Sequence, residues 1–174
     1  MKWLLWTIAI ITVIFIIVLI IYLTNKNDNN PPVVKVDIKD IKTLHYSYSV
    51  GYAMYANCVY DLKCEEDKCM LTIKPNGFPE EDARTYDVDD NSIKEVINIL
   101  NKYEVSKWDG FQKSDKNVLD GNSFSFSLTT KDGKNISASG YMMWPDNYGI
   151  VKNELKMIFD GFIREGDFMR DMGD

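Results

Sequence analysis

Residues 123–141 read SFSFSLTTKDGKNISASGY. Phe124, Phe126 and Leu128 alternate with small hydroxyl residues, which is the period of two expected of a strand with one buried face. The Asp-Gly pair at 132–133 then separates this run from a second one, and Asp-Gly is a strong signal for a tight hairpin turn. The stretch therefore predicts an antiparallel hairpin with strands at 123–129 and 135–141.

Further strands and one helix are predicted before this hairpin. Runs that predict strands lie at residues 44–50, 52–62, 69–73 and 86–88. A capping box at residues 92–95, with Asp89 and Asp90 just before it, predicts the start of a helix. The segment around Trp108 and Phe111 is predicted as a loop.

A second helix is predicted after the hairpin, at about residues 148–164, opened by the turn residues 145–147. The order is therefore strands, helix, hairpin, helix. That order predicts an α+β domain in which an antiparallel sheet is covered on one face by two helices.

An uncharged run of 21 residues begins at Trp3 and ends at Leu23. As a helix with ~1.5 Å rise per residue it would cover roughly 30 Å, the thickness of the hydrocarbon core of a bilayer. We therefore predict a transmembrane signal anchor over residues 1–23, a polar linker over 24–32 and an extracytoplasmic α+β domain over 33–174. A cleaved signal peptide is the alternative, but it needs a shorter apolar run and a small-residue cleavage site, which the sequence after Leu23 does not offer.

The orientation of this anchor is predicted from its flanking charges. Lys2 and the α-amino group precede the run, whereas Lys26 and Asp28 follow it. Basic residues favour the cytoplasmic side. The prediction is a single-pass protein of the cytoplasmic membrane, with its N-terminus inside and its domain outside.

The charge of the domain excludes one class of partner. Residues 33–174 carry 18 basic and 25 acidic side chains, a net charge of −7. Phosphate backbones would repel such a surface. We therefore expect no binding to nucleic acids.

The three cysteines leave several interpretations open. Cys64 and Cys69 flank an acidic four-residue loop, so as opposed residues of a hairpin they would lie within disulfide range. Free thiols are the alternative, while a metal site would need more ligands than the single His45 can complete. Cys58 lies in an apolar stretch and is expected to be a small buried side chain.

No motif for catalysis is visible. His45 is the single histidine and lies in a predicted strand, and no nucleophile elbow, phosphate loop or dinucleotide motif occurs. Carboxylates at 80–82 and 87–90 are explained as caps and solvated charge. Residues 115–121 are similar to a calcium loop but lack its regular ligands and closing glutamate. We predict neither an enzyme nor a bound cofactor or metal.

Five aromatic residues are the candidate ligand-binding residues. They fall in or next to loops of the C-terminal half: Trp108, Phe111, Tyr141, Trp144 and Tyr148. On one exposed face they would form a platform for sugar rings or for a partner protein. The alternative is that they fill the open end of the sheet beneath the helices.

The same part of the chain carries a recurrent motif pattern. Its elements are WDGF at 108–111, VLDG at 118–121, FSFSL at 124–128, DG at 132–133, SG at 139–140 and WPDNY at 144–148. The pattern resembles that of uncharacterised small lipoproteins and membrane-anchored proteins of Gram-positive gut bacteria. The resemblance covers about a quarter of the chain and implies a fold rather than a reaction. Those proteins often begin with a lipidated cysteine, which this chain lacks.

Together these features predict a membrane-anchored, extracytoplasmic, non-catalytic binding or interaction module of the cell envelope. Its partners would be the bilayer, through residues 3–23, and a cell-wall glycan or an envelope protein. One alternative is a hydrolase that cleaves wall or surface glycans with two carboxylates. Another is an immunity-like protein whose acidic domain binds a basic toxin.

Overall fold

One seven-stranded sheet forms the centre of the domain in the computed structural model, which describes residue 16 and residues 37–51, 58–66, 68–75 and 78–168. The strands are β1 (Thr43–Ser49), β2 (Cys58–Cys64), β3 (Cys69–Pro75), β4 (Arg84–Val88), β5 (Phe111–Ser114), β6 (Ser123–Thr129) and β7 (Asn135–Tyr141). Their order across the sheet is β4-β3-β2-β1-β6-β7-β5. The first of the described strands in sequence order is thus the central strand of the sheet.

The sheet is mixed, so the prediction of an antiparallel sheet is wrong at one edge. Every pair is antiparallel except β5 and β7, which run parallel, with Phe111 opposite Ala138. The missed strand β5 has four residues, three of them exposed, and so shows no alternation. Backbone hydrogen bonds at both ends hold it to β7: Gly110 donates to Ser137 (3.0 Å) and Asp115 donates to Tyr141 (2.9 Å).

The two predicted helices are α1 (Asp90–Lys102) and α2 (Tyr148–Asp160). Helix α1 begins earlier than the capping box suggested. Its N-cap is Asp89, whose carboxylate accepts hydrogen bonds from the backbone N–H groups of Asn91 (2.8 Å) and Ser92 (2.9 Å). Because these are two of the first-turn donors that lack intrahelical partners, the cap fixes the start of the helix.

The sheet has one apolar face and one polar face. On the apolar face, Tyr46 lies between Tyr60 of β2 and Phe126 of β6, and all three are almost fully buried. Both helices add their buried residues to the same core, including Leu100 of α1 and Leu155 of α2. The α+β fold with two helices is thereby confirmed. The opposite face carries the alternating hydroxyls predicted for the hairpin.

The sheet has an entry end, where the chain enters it, and a far end on the opposite side. At the entry end, β1 begins at Thr43, next to the end of β2, where Cys64 N–H donates to Lys42 (2.9 Å). At the far end, β1 ends at Ser49, β6 begins and α2 has its N-terminus. All of these elements lie within the compact unit Lys35–Asp174.

The predicted anchor and linker fall, but for Ile16, outside the described residues. Within the described part of the chain, no helix combines the length and the apolar content needed to cross a bilayer. The anchor, its orientation and the extracytoplasmic location therefore stay predictions.

Candidate functional site

A surface cleft of about 580 Å³ lies at the far end of the sheet, between the end of β1, the start of β6 and the first turns of α2. Its volume is within the range typical of small-molecule sites. Seven of its lining side chains carry aromatic, amide or cationic groups: Tyr48, Asn122, Trp144, Asn147, Tyr148, Lys152 and Asn153. We call it the far-end cleft.

Trp144 is the aromatic wall of the far-end cleft. Its ring is stacked on Tyr148, with centroids 4.7 Å apart and planes inclined by 16°, and it also contacts Phe124 at 5.6 Å. The residue nevertheless remains 38% exposed. Contacts with core rings fix the indole plane while a large part of the residue stays open to solvent.

Two residues with left-handed backbone conformations shape the loop that carries Trp144. Met142 has φ of 54° and Asn147 has φ of 62°. Such values are uncommon outside glycine, and asparagine tolerates them better than most residues. The turn at Met142 ends β7 and the turn at Asn147 starts α2, so the short loop between them projects Trp144 toward the cleft.

The tyrosines of the cleft stay neutral at physiological pH. Burial raises the pKa of Tyr148 to about 12, and its hydroxyl lies 3.2 Å from that of Tyr46. Burial also raises the pKa of Tyr48. These phenols therefore serve as packing surfaces and hydrogen-bonding groups, not as bases.

The far-end cleft differs in charge from the domain around it. Lys152 is its one cation among the described lining residues, and its ammonium lies 4.6 Å from the centroid of the Tyr48 ring. No carboxylate belongs to the described lining, although the domain as a whole is acidic. A neutral or anionic ligand would meet no fixed negative charge there.

The structure distributes the five predicted aromatic residues over two environments. Trp144 and Tyr148 line the cleft, and Tyr148 is itself 7% exposed. Trp108 and Phe111 belong to the core: Trp108 is buried, its Nε1 donates to the Asp146 carbonyl (3.0 Å), and Phe111 packs on Phe124.

Tyr141 lies on the polar side of the sheet. It alternates with the buried residues of β7, and its hydroxyl donates to the carbonyl of Leu119 (2.8 Å). The five residues thus do not form one platform, and the cleft contains two of them.

Sequence reasoning missed most of the polar lining. Asn122, Lys152 and Asn153 come from two segments far apart in sequence, and single asparagines or lysines show no pattern that would mark a site. A signal did exist at Asn147, because asparagine before a helix at a loop end often adopts the left-handed conformation. Tyr48 was predicted only as part of a strand, and it also lines the cleft.

The remaining candidates for chemistry lie elsewhere. His45 pairs with Asp61 across β1 and β2 on the polar face (Nδ1 to Oδ1, 2.7 Å), and this hydrogen bond raises the pKa of His45. At residues 115–121, the Asp115 carboxylate accepts from the Asn117 N–H (2.9 Å), as in an ordinary turn. Over the described residues, no group of three or more potential metal ligands is found.

Cys64 and Cys69 are joined by a disulfide at the entry end, with their Cα atoms 4.1 Å apart. They are opposite each other in the β2–β3 pair, which is the arrangement that the hairpin interpretation needed for a disulfide. Cys58 is a free, half-buried thiol, and burial raises its pKa. A raised pKa keeps the thiol protonated and poorly nucleophilic.

Comparison with known proteins adds no family. No family model matches the chain, and neither a curated protein nor a solved structure matches it. The resemblance of residues 108–148 to small envelope proteins therefore stays a prediction, and the proposals below rest on the geometry of the chain itself.

Proposed function

We propose that this protein is a membrane-anchored, extracytoplasmic binding module of the cell envelope, and that its ligand occupies the far-end cleft. The observation that carries the proposal is the exposed ring of Trp144 in a concave site. Large aromatic side chains held rigid and partly open to solvent are favoured contacts for ligands, because they offer area at little cost in ordering.

A binding role fits the cleft better than catalysis does. Hydrolysis of a glycosidic bond by the usual mechanism needs two carboxyl groups on either side of that bond. The described lining of the cleft offers none, and the His45–Asp61 pair lies on the opposite face of the sheet. These observations support a site that holds its ligand without a proton donor and a base.

The experiment that tests the binding role uses the full-length protein in detergent and purified cell-wall sacculi. We expect the protein to sediment with the sacculi and Trp144→Ala to abolish most of this binding. Met157→Ala is the matched control, because Met157 is 78% exposed and does not line the cleft. If Trp144→Ala folds normally and sediments like the wild type, the cleft is not the binding site.

The proposed location needs its own test. Protease added to intact cells should degrade residues 33–174 while a cytoplasmic marker survives. Complete protection, with degradation only after the cells are lysed, would place the domain inside and contradict the proposal.

A further inference from the structure

We propose that the ligand of the far-end cleft is an acidic pyranose glycan, with one sugar ring on Trp144 and an anionic substituent at Lys152. This inference rests on the proposed function and specifies the ligand class for the same site. Three independent properties of the cleft carry it: the orientation of the indole ring, the amide groups, and the distribution of charge.

The indole ring offers a flat surface of fixed orientation. Tyr148 is stacked on it at 4.7 Å and Phe124 contacts it at 5.6 Å, so the plane is held by the core while the residue stays 38% exposed. The face of an aromatic ring is electron-rich. The C–H groups on one side of a pyranose ring carry a small positive charge, so they pack against such a face.

The amides of the cleft match the hydroxyl groups of a sugar. Asn122, Asn147 and Asn153 are exposed and line the site. An amide both donates and accepts hydrogen bonds, as a pair of neighbouring hydroxyls does. The side-chain Oδ1 of Asn122 accepts from the Gly51 N–H (3.2 Å), which holds this side chain at the start of β6. A purely apolar ligand would remove water from these amides without replacing the hydrogen bonds that the water makes.

The charge of the cleft selects an acidic sugar over a basic one. Lys152 is positioned by its cation–π contact with Tyr48 (4.6 Å), and no carboxylate occurs in the described part of the lining. The surrounding domain is acidic, so a cationic ligand would find better sites elsewhere on the surface. An anionic group on the sugar would pair with the ammonium of Lys152.

The test is isothermal titration calorimetry, in which oligosaccharides of equal length are titrated into the full-length protein in detergent. The acidic probes are a β-1,4-linked N-acetylglucosamine–N-acetylmuramic acid oligomer and a uronic acid oligomer. The neutral probe is a β-1,4-linked N-acetylglucosamine oligomer. We expect the acidic probes to bind more tightly than the neutral one, and the comparison of the two acidic probes identifies which source of carboxylate is preferred.

Variants separate the two contacts. Trp144→Ala should weaken binding of every probe by roughly tenfold or more, and Trp144→Phe should restore part of it, which a folding defect would not. Lys152→Gln should weaken the acidic probes by roughly two- to fivefold, the range of an exposed ion pair, and leave the neutral probe unchanged. Met157→Ala should change nothing.

Two results would overturn the inference. Equal binding of acidic and neutral probes, unaffected by Lys152→Gln, would exclude an acidic ligand. The second result is that no oligosaccharide binds although sedimentation with sacculi still requires Trp144. It would refute a glycan ligand, and the binding function would then belong to a protein or peptide ligand. If neither sacculi nor sugars bind, the proposed function itself fails.

Discussion

Gly140 and the carbonyl oxygen of Met143 are in such close contact that a Cβ atom on Gly140 would lie 2.1 Å from that oxygen. The same Cβ would lie 2.6 Å from Cε1 of Phe124. The turn after β7 thus folds back directly over the strand that it leaves. This close approach brings the next residue, Trp144, onto the ring of Phe124.

Replacement of Gly140 should therefore disrupt the turn that carries Trp144. We expect Gly140→Ala to lower the free energy of unfolding by about 1–3 kcal/mol, since one of the clashing groups is backbone and cannot move aside. Urea denaturation followed by tryptophan fluorescence measures the change.

Gly149→Ala provides the control for this substitution. Gly149 lies in the first turn of α2, and a Cβ there would meet nothing within 4 Å. Alanine favours a helix over glycine by about 0.5–1 kcal/mol, so this variant should be neutral or slightly more stable. Equal losses in the two variants would contradict the role given to the Gly140 contact.

Asn101 should be a main determinant of how residues 37–42, which precede β1, are held against α1. Its side chain accepts from the Ile38 N–H (2.9 Å) and donates to the Ile38 carbonyl (2.8 Å). Loss of two hydrogen bonds at about 1 kcal/mol each predicts that Asn101→Ala destabilises the domain by about 2 kcal/mol. Asn98→Ala, at an exposed site on the same helix, should cost far less, and chemical denaturation compares the two.

The cap of α1 should make stability depend on acidity. The Ser92 N–H bond to Asp89 lowers the pKa of this carboxyl in the folded protein. Such a group stabilises the fold above its unfolded pKa, and the contribution is lost as the pH falls through the folded pKa. We expect Asp89→Ala to lower the urea midpoint at pH 7 more than Asp90→Ala does, and the difference to shrink toward pH 2. A difference that persists unchanged would refute the cap.

His45 should titrate above its ordinary pKa of 6.5, because Asp61 holds a hydrogen bond to its ring. As the folded pKa is raised, the contact contributes stability below pH 6.5 and loses it as the pH rises through the folded value. The chain has one histidine, so its ring protons give one NMR titration curve. Asp61→Asn should move the midpoint back toward 6.5, and an unchanged midpoint would show that Asp61 is not the cause.

The state of the cysteines predicts a mass pattern. Alkylation without reductant should modify Cys58 alone, and slowly, because burial raises its pKa. After reduction and unfolding, all three cysteines should be modified. Three alkylated thiols in the unreduced, unfolded protein would show that Cys64 and Cys69 are free.

The elements with strong local signals were predicted well from the sequence. Strands β6 and β7 have the bounds that the alternation and the Asp-Gly turn indicated, and helix α1 was located with an error only in its capping residue. Strand β5 was missed because its pairing with β7 is decided by contacts distant in sequence. Local patterns carry no information on such a contact.

The candidate site was harder to predict for the same reason. Trp144 was identified because a large aromatic residue in a loop stands out by itself. Trp108 was assigned equally to the platform, and only the packing of Phe124 and Phe126 around it shows that it is core. Lys152 becomes part of the site because the helix turns it toward Tyr48 on a distant strand.

The position of β1 at the centre of the sheet has a mechanical consequence. The chain enters the sheet at the start of this strand, and the cleft lies at its other end. The seven residues of β1 separate the two ends by ~20 Å. If the proposed anchor precedes residue 37 and the proposed ligand fills the cleft, tension between them would run along β1, at right angles to its hydrogen bonds with β2 and β6. Those bonds would share the load and would have to break together. Such a domain resists pulling in shear, where an edge strand would peel away one bond at a time.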